Sequence, residues 1–180
     1  RTQRQDYAEM SLQLSSLRRS KIYSSRDEIA KHWLLSRGFR WFNLTTGCFD
    51  VLHPGHVGLL KEAAKVREDQ FVYPLVVGIN SDDSIRRLKG PSRPILNQDE
   101  RAYMLAALEP VAAVFVFDEI RVTQTLKELC PSVWTKGGGY TYDTLDREER
   151  EMAHSLHARI VILPRIGDYS TTGILERMKG

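Results

Sequence analysis

The sequence predicts an α/β fold, an open parallel sheet of five strands with helices on both faces. Five short segments rich in Val, Ile, Leu and Phe alternate with segments whose apolar residues follow the helical period. Such alternation places parallel strands side by side and joins them by right-handed crossovers. The length of 180 residues suits one such domain, and no internal repeat or low-complexity linker divides it.

Residues 1–20 form a predicted N-terminal extension, separate from a domain over residues 21–180. The extension is polar and contains no Gly or Pro, but Tyr7, Met10, Leu14 and Leu17 fall at i, i+3, i+7 and i+10. This spacing predicts a helix with a narrow apolar seam that packs on the core or on a second subunit. A frayed segment is the alternative, because isolated helices of this length are marginal in water.

The domain begins with a helix that a capping box predicts. Ser25 and Glu28 have the spacing of the box, Ile29 and Trp33 share one face, and Gly38 can end the helix.

Strands and helices then alternate to the end of the chain. The third helix of this series is capped by Asn97 and Glu100. The predicted strands cover residues 41–46, 75–79, 111–117, 133–135 and 159–163. The predicted helices cover residues 55–66, a short segment from a cap at Ser81 to Gly90, 99–108, 122–129 and 146–157, and a last helix starts at Thr171.

The composition excludes several classes of protein. With 42% hydrophobic and 27% charged residues the chain is an ordinary globular protein, and no apolar run approaches the roughly 20 residues that cross a bilayer. The net charge is +3 and the basic residues are scattered, which does not favour nucleic acid as a partner. Two cysteines, Cys48 and Cys130, are too few for a disulfide scaffold and lack the spacing of a zinc site. We expect a cytoplasmic enzyme of small anionic molecules, with no export signal in its polar first residues.

Ligands of open parallel sheets bind beyond the carboxyl ends of the strands, near the point where the strand order reverses. The loops that follow the predicted strands therefore contain the candidate site, and glycines, histidines, cations and hydroxyls concentrate there. These loops cover residues 47–56, 80–83, 118–119, 136–140 and 165–172.

His53, Pro54, Gly55 and His56 lie between a predicted strand and an amphipathic helix. The free N–H groups at a helix start bind anions. Pro54 fixes the backbone that enters the helix, and Gly55 leaves room for a phosphate beside the main chain. A satisfied structural histidine is the alternative for a single His, and zinc is disfavoured because no third ligand has suitable spacing. The pair therefore predicts a phosphate site.

A second cluster, Ser170, Thr171 and Thr172, opens the last predicted helix. Taken alone it is a good N-cap. Arg165 lies five residues before it, and the histidine pair is expected at the same edge of the sheet. We therefore expect a second phosphate contact at these hydroxyls.

Lys89, before Gly90, and Lys136, before three glycines, are the candidate cations of the other loops. Each could be an ordinary solvated lysine, but together they would ring a polyphosphate. The sequence lacks the G-x-G-x-x-G pattern of dinucleotide-binding folds and the P-loop pattern G-x-x-x-x-G-K-[ST]. Cys48 is interpreted as a small core residue, because it does not lie at a helix N-terminus that would activate a thiolate.

Residues 47–56, with the sequence GCFDVLHPGH, resemble the cytidylyltransferase-like nucleotidyltransferases, whose mark is H-x-G-H after a G-x-F-D turn. Within that superfamily the chain is most similar to the adenylyltransferases that make ADP-heptose from D-glycero-β-D-manno-heptose 1-phosphate and ATP. The resemblance runs from residue 21 to residue 179 and implies a Rossmann-like nucleotidyltransferase fold. The chain departs from the heptose enzymes at Gly139, where they usually carry an aspartate. Further matching segments are 77–84, 86–91, 93–95, Arg101 with 105–108, 117–119, 136–138 and 169–172.

The resemblance implies roles for residues of these loops. By it, His53 and His56 hold the α-phosphate region of the nucleotide, and Ser170 and Thr171 hold the leaving pyrophosphate. The implied catalytic residues are His53, His56, Lys89, Arg165, Ser170 and Thr171. The implied nucleotide-binding residues are Gly47, Cys48, Phe49, Asp50, Gly55, Arg101, Lys136, Gly137 and Thr172, with Lys89 and Arg101 as phosphate ligands. The implied substrate-binding residues are Asn80, Asp82 and Tyr140, and no metal-ligating residue is implied.

The implied reaction is attack of a sugar 1-phosphate, here a heptose 1-phosphate, on the α-phosphorus of ATP with release of pyrophosphate. A phosphate monoester is largely dianionic at neutral pH, so the reaction needs no general base. Mg²⁺ is expected, held mainly by the substrate phosphates. The apolar seam of residues 1–20 and the pairing of related enzymes lead us to expect a homodimer, and the hydropathy and scattered charge lead us to expect no membrane or nucleic-acid partner. Two alternatives stay open: a cytidylyltransferase acting on glycerol 3-phosphate or another small phosphate ester, and a non-catalytic nucleotide-binding regulator.

Overall fold

The structure, a computed structural model, describes residues 21–34 and 41–178 of the chain. Two predictions lie outside the described residues: the apolar seam of Tyr7, Met10, Leu14 and Leu17, and the helix end at Gly38. The division of the chain into an extension and a domain stays a prediction.

A six-stranded parallel sheet forms the centre of the described structure. In chain order the strands are β1 (Ile22–Tyr23), β2 (Asn43–Gly47), β3 (Arg67–Glu68), β4 (Phe71–Val72), β5 (Leu75–Asn80), β6 (Val111–Phe117), β7 (Val133–Lys136) and β8 (Arg159–Ile162). The sheet has the order β1, β6, β5, β2, β7, β8, and all neighbours in it are parallel. The predicted open parallel sheet is therefore confirmed.

The predicted number of strands was one too low. Ile22 and Tyr23 of β1 pair with Val114 and Phe115 at the edge of β6. Two residues are too few to show an apolar pattern in a sequence, so β1 could not be predicted. The short antiparallel hairpin of β3 and β4 was not predicted either.

Helices cover both faces of this sheet. They are α1 (Arg26–Glu28), α2 (Pro54–Ala63), α3 (Asp82–Lys89), α4 (Gln98–Ala106), α5 (Thr123–Leu129), α6 (Arg147–Ser155) and α7 (Thr171–Met178), and a π-helical segment (Ile29–Leu34) follows α1. On one face Phe115 and Trp134 pack in a cluster with Leu126 of α5, and on the other Leu60 of α2 packs in a cluster with Leu105 of α4. All five side chains are fully buried, and burial of each stabilises the fold by about 1.5–3 kcal/mol.

Side-chain caps explain where the helices begin. Ser81 Oγ accepts a hydrogen bond of 3.1 Å from the N–H of Ser84, and α3 ends at Gly90, whose φ is +91°. Asn97 and Glu100 exchange hydrogen bonds of 3.0 and 2.8 Å between side chain and backbone, which is the complete capping box. Both predicted caps are confirmed.

The first predicted helix differs in type from the prediction. Ser25 Oγ accepts a hydrogen bond from Glu28 N at 3.2 Å, as expected of a cap. The Glu28 carboxylate, however, accepts from the N–H and the hydroxyl of Ser24, one residue before the N-cap. After α1 the chain continues as the π-helical segment, so the expected α-helix through Trp33 was wrong in geometry.

The strand order reverses at β2. Thr45 of β2 pairs with Val77 of β5 on one side and with Thr135 of β7 on the other. The chain first adds β5 and β6 on one side of β2 and later β7 and β8 on the other. The loops after β2 and β7 therefore meet where open parallel sheets bind ligands. In residues 21–34 and 41–178, no helix has the length and hydropathy needed to span a membrane.

Candidate active site

A cavity of about 670 Å³ contains both clusters that the sequence predicts as phosphate contacts. His53 and His56 lie in its wall, and so do Ser170, Thr171 and Thr172. The remaining polar and charged groups of the wall are Lys89, Arg93, Arg165, Tyr169 and Glu176. The cavity therefore joins three cationic side chains, two imidazoles and three aliphatic hydroxyls.

The H-x-G-H segment forms the start of α2. His53 is the N-cap of this helix: its backbone is extended, and its Nδ1 accepts a hydrogen bond from His56 N at 3.3 Å. Pro54 occupies the first turn, where its missing N–H costs nothing. The spacing of three residues stacks the two imidazole rings, with centroids 3.7 Å apart and planes at 16°.

Both histidines are neutral at pH 7. Burial, followed by the proximity of His53 and, more weakly, of Lys89, lowers the pKa of His56 to about 4, against a weaker raising effect of the Val51 backbone. Burial, followed by a smaller effect of Arg165, lowers the pKa of His53 as well, although a backbone hydrogen bond opposes this shift. A neutral imidazole has one N–H donor and no net charge. Positive charge in the cavity therefore comes from its lysine and arginines.

Two glycines of α2 bring the second cluster close to the first. A Cβ added at Gly55 would lie 3.1 Å from the His53 ring and 3.3 Å from the carbonyl oxygen of Ile166. At Gly58 it would lie 2.8 Å from Ile166 Cδ1, closer than real contacts of this kind. The segment that carries Arg165 and leads to the hydroxyls thus packs directly against the start of α2.

The hydroxyl cluster begins α7. Ser170 Oγ accepts a hydrogen bond from Gly173 N at 3.0 Å, and the carbonyl of Ser170 accepts one from Ile174 N, so Ser170 is the N-cap. Thr171 and Thr172 begin α7 and line the cavity, and the N–H groups of a first helical turn have no acceptor within the helix. The cap and the predicted anion contact thus lie in the same segment.

Asp50 binds the loop of residues 93–96, which contributes Arg93 to the cavity wall. Its carboxylate is 1% exposed, and Oδ1 accepts hydrogen bonds from the backbone of Ile95 and Leu96 at 2.7 and 3.1 Å. Oδ2 lies 2.8 Å from Nε of Arg93, whose side chain is largely buried and lines the cavity. Asp50 is thereby linked to the cavity through Arg93.

Arg101 is fully buried and lies outside the cavity wall. It donates hydrogen bonds to the carbonyls of Leu96 and Cys48 at 3.0 and 2.8 Å, and its guanidinium pairs with Asp82 at 2.7 Å. These contacts join α4 to the loops after β2 and β5. Its predicted role as a phosphate ligand has no support in this placement.

Asn80, which the resemblance predicts to bind the substrate, is buried at the end of β5. Its amide nitrogen donates to Ser84 Oγ at 3.0 Å and to the carbonyl of Glu119 at 3.4 Å, and its Oδ1 lies 3.7 Å from the Cys48 thiol. Like Arg101, it connects neighbouring loops.

The loop after β7 borders the cavity. Gly138 lines the cavity, and a Cβ added at Gly137 would lie 2.2 Å from Cδ1 of Leu59, another residue of the wall. Gly139, where heptose adenylyltransferases usually carry an aspartate, has a φ of +104°, which side chains rarely adopt. The backbone of this loop is therefore built for glycine at that position.

The predicted site residues divide into two groups. Those that line the cavity are His53, Gly55, His56, Lys89, Arg165, Ser170, Thr171 and Thr172. Those outside its wall are Gly47, Cys48, Phe49, Asp50, Asn80, Asp82, Arg101, Lys136, Gly137 and Tyr140. The sequence did not single out Leu59, Arg93, Gly138, Tyr169 or Glu176. Arg93, Gly138 and Tyr169 lie in segments that carry the family resemblance, which was the signal for them.

Comparison with known proteins agrees with the geometry. The model of the cytidylyltransferase-like family matches residues 44–177, a stretch that includes the histidine pair and the hydroxyl cluster. The chain belongs to this family. As a cytidylyltransferase-like protein it is a nucleotidyltransferase enzyme.

Curated relatives include proteins named bifunctional protein HldE. The one from Syntrophotalea carbinolica is 42% identical over 134 residues, which are 74% of this chain and 26% of that protein. The one from Rhodospirillum rubrum is 39% identical over 167 residues, 92% of this chain and 32% of that protein. This cytidylyltransferase-like chain thus spans about a quarter to a third of the length of these relatives.

A solved structure has the same fold. The crystal structure of the lipopolysaccharide core biosynthesis protein from Thermoplasma volcanium matches with a TM-score of 0.56 and 26% identity, over 69% of this chain and 96% of that one.

Proposed function

We propose that this chain transfers the adenylyl group of ATP to a heptose 1-phosphate and releases pyrophosphate. The observation that carries the proposal is that the His53–His56 pair and the hydroxyls of Ser170, Thr171 and Thr172 line one cavity. The similarity to HldE proteins and to a lipopolysaccharide core biosynthesis protein supports a heptose phosphate as acceptor, as does the resemblance to heptose 1-phosphate adenylyltransferases.

The proposed chemistry needs no base. An oxygen of the dianionic acceptor phosphate attacks the α-phosphorus and forms a P–O bond, while the bond from that phosphorus to the α,β-bridging oxygen breaks and pyrophosphate leaves with the electron pair. The enzyme must bring two anions together and stabilise negative charge on the α-phosphoryl and leaving oxygens. Those two tasks suit a wall of cations, neutral N–H donors and helix starts.

His53 and His56 are proposed to face the α-phosphate. Their stacked rings lie at the start of α2, whose positive dipole end favours anions. A neutral imidazole can donate one hydrogen bond to a phosphoryl oxygen. Each ring therefore stays neutral and donates its N–H to a phosphoryl oxygen as negative charge grows there.

The leaving pyrophosphate is proposed to lie at α7. Ser170 and Thr171 supply hydroxyls at the helix start, and Arg165 lies in the same wall. Lys89, the last residue of α3, and Arg93, in the segment between α3 and α4, also line the cavity. Three cations near the β- and γ-phosphates would stabilise the dissociating product.

Mg²⁺ is part of the proposal as a companion of the triphosphate. The ion prefers oxygen ligands and usually keeps several waters. The cavity offers the Glu176 carboxylate and the hydroxyls of α7, which are ligands of that kind. Within the described ranges no group of three His, Cys, Asp or Glu side chains could hold a metal ion, so we propose that phosphate oxygens supply most ligands. When bound, the ion would neutralise charge on the phosphates.

A cytidylyltransferase for glycerol 3-phosphate is the second candidate. Glycerol-phosphate cytidylyltransferases also carry an arginine before the hydroxyl cluster, as Arg165 does here. Gly139 in turn removes the aspartate of the heptose enzymes and adopts a backbone conformation that disfavours its return.

A pyrophosphate-release screen separates the two. ATP, CTP and GTP are each combined with heptose 1-phosphate and with glycerol 3-phosphate in the presence of Mg²⁺. Release with ATP and heptose 1-phosphate supports the proposal, and release with CTP and glycerol 3-phosphate supports the second candidate. Binding of a nucleotide without release in every combination would indicate a non-catalytic domain.

A further inference from the structure

Lys136 is a cation with unused hydrogen-bonding capacity. It is the last residue of β7, beside β2, where the strand order reverses. Its Nζ donates one hydrogen bond of 3.2 Å, to Thr46 Oγ1, and lies 5.1 Å from the centroid of Trp134 and 5.4 Å from that of Tyr140. An ammonium group has three N–H donors, so two of them have no acceptor among the described residues.

No carboxylate of the described chain forms an ion pair with this ammonium group. Glu149 acts on it from a distance, but its Oε1 accepts a hydrogen bond from the backbone of Val122 at 2.8 Å. Burial lowers the pKa of Lys136, against smaller opposing effects of Glu149 and Cys48. A partly buried ammonium group that has one hydrogen bond and two aromatic rings beside it, but no counter-ion among the described residues, would bind an anion that reached it.

The surroundings of Lys136 adjoin the triphosphate cavity without belonging to it. Gly137, the residue after Lys136, packs on Leu59. Leu59 and Gly138 line the cavity, whereas Lys136 does not. The half-exposed ring of Tyr140 covers the ammonium group. The chain between them contains three glycines, two of them at positive φ. An anion at Lys136 would therefore be a neighbour of the nucleotide phosphates.

We infer that Lys136 binds the phosphate of the acceptor and not that of the nucleotide. This inference rests on the proposed function, because it assigns the second substrate of that reaction to a place. The triphosphate already has Lys89, Arg93 and Arg165 in its cavity, and a second phosphate dianion needs a cation of its own at the adjoining position. Lys136 supplies it, and Tyr140 covers the acceptor from the solvent side.

Steady-state kinetics and calorimetry on three variants test the inference. Lys136→Met removes the charge and keeps the length, Lys136→Arg keeps the charge, and Lys127→Met is the matched control at an exposed lysine of α5. Lys136→Met should raise the KM for heptose 1-phosphate about 10- to 100-fold, the scale of a lost charged hydrogen bond, and change the Kd for ATP less than 2-fold. Lys136→Arg should restore part of the loss, and Lys127→Met should match the wild type.

If Lys136→Met loses as much affinity for ATP as for the acceptor, the side chain contacts the nucleotide and the inference is wrong. An unchanged KM for the acceptor would also overturn it. Thermal unfolding of each variant shows whether it is folded. If Lys136→Met does not fold, the acceptor KM and the ATP Kd of Lys136→Arg are compared with those of the wild type instead.

A second measurement separates this inference from the proposed function. Inorganic phosphate is titrated into the chain after saturation with tripolyphosphate. Wild-type protein should bind phosphate and Lys136→Met should bind it at least 10-fold more weakly. If no acceptor supports pyrophosphate release but this difference is found, the proposed reaction fails and the anion site at Lys136 stands; equal phosphate binding by both proteins rejects the site.

Discussion

The imidazole rings of His53 and His56 are stacked, with their centroids 3.7 Å apart, while Nδ1 of the first accepts the backbone N–H of the second. One residue therefore orients the other and caps the helix that carries it. Burial lowers the pKa of both rings, helped by His53 in the case of His56 and by Arg165 in the case of His53, so the neutral forms predominate at neutral pH.

Replacing His56 by alanine should leave the fold intact and lower kcat about 10²- to 10³-fold, the scale of losing one donor to the transition state. The measurement is pyrophosphate release with saturating substrates. His154→Ala, at an exposed histidine of α6, is the control and should retain full activity. Near-normal turnover in His56→Ala would remove the assigned role.

The free energy of unfolding should depend on His56 in mildly acidic solution. The folded pKa of about 4 is below the ordinary value of 6.5, so the unfolded chain binds more protons between these values. The contribution of His56 is complete above pH 6.5 and is lost as the pH falls to about 4. Urea unfolding at pH 7 and pH 4.5 should show a smaller acid loss in His56→Asn than in wild type, by about 1–3 kcal/mol because part of the ring is exposed. Identical losses would contradict the pKa of His56.

The double change Ser170→Ala and Thr171→Ala should weaken binding of tripolyphosphate more than binding of heptose 1-phosphate. Both hydroxyls lie at the start of α7 in the cavity wall, and Ser170 is also the N-cap, so about 1 kcal/mol of stability should be lost as well. Calorimetric titration of the two ligands measures the difference. Ser155→Ala, at an exposed serine of α6, is the control, and equal weakening for both ligands would show that the cluster is placed wrongly.

Asp50→Asn should destabilise the fold and weaken ATP binding together. The change ends the ion pair with Arg93, leaves a largely buried guanidinium without its charge partner, and should cost about 3–5 kcal/mol. Urea unfolding and ATP titration measure the two effects. Asp83→Asn is the control: it breaks the exposed ion pair between Asp83 and Arg86 and should lower the free energy of unfolding by at most about 1 kcal/mol. A stable Asp50→Asn variant with normal ATP affinity would contradict the link from Asp50 to the cavity.

Arg101 shows why sequence patterns could not assign every site residue. Its position in the matching segments favoured a phosphate ligand, yet its guanidinium is fully buried and satisfied by Leu96, Cys48 and Asp82. Whether an arginine faces a ligand or joins loops depends on the packing of elements far apart in the chain. The same reason explains why Arg93 was not predicted to line the cavity: its loop is bound by Asp50, more than 40 residues away.

Local chemistry was sufficient for the alternating elements, for the caps at Ser81 and Asn97, and for the two segments expected to contact phosphates, because periodicity and capping act within a few residues. The rule that ligands bind beyond the carboxyl ends of parallel strands also predicted that these two segments lie at one edge of the sheet, and they do share one cavity. Long-range packing alone decided that β1 joins the edge of β6 and that two N–H donors of Lys136 have no acceptor among the described residues. Such features arise from contacts between distant residues, and a linear pattern carries no information on the distance between them.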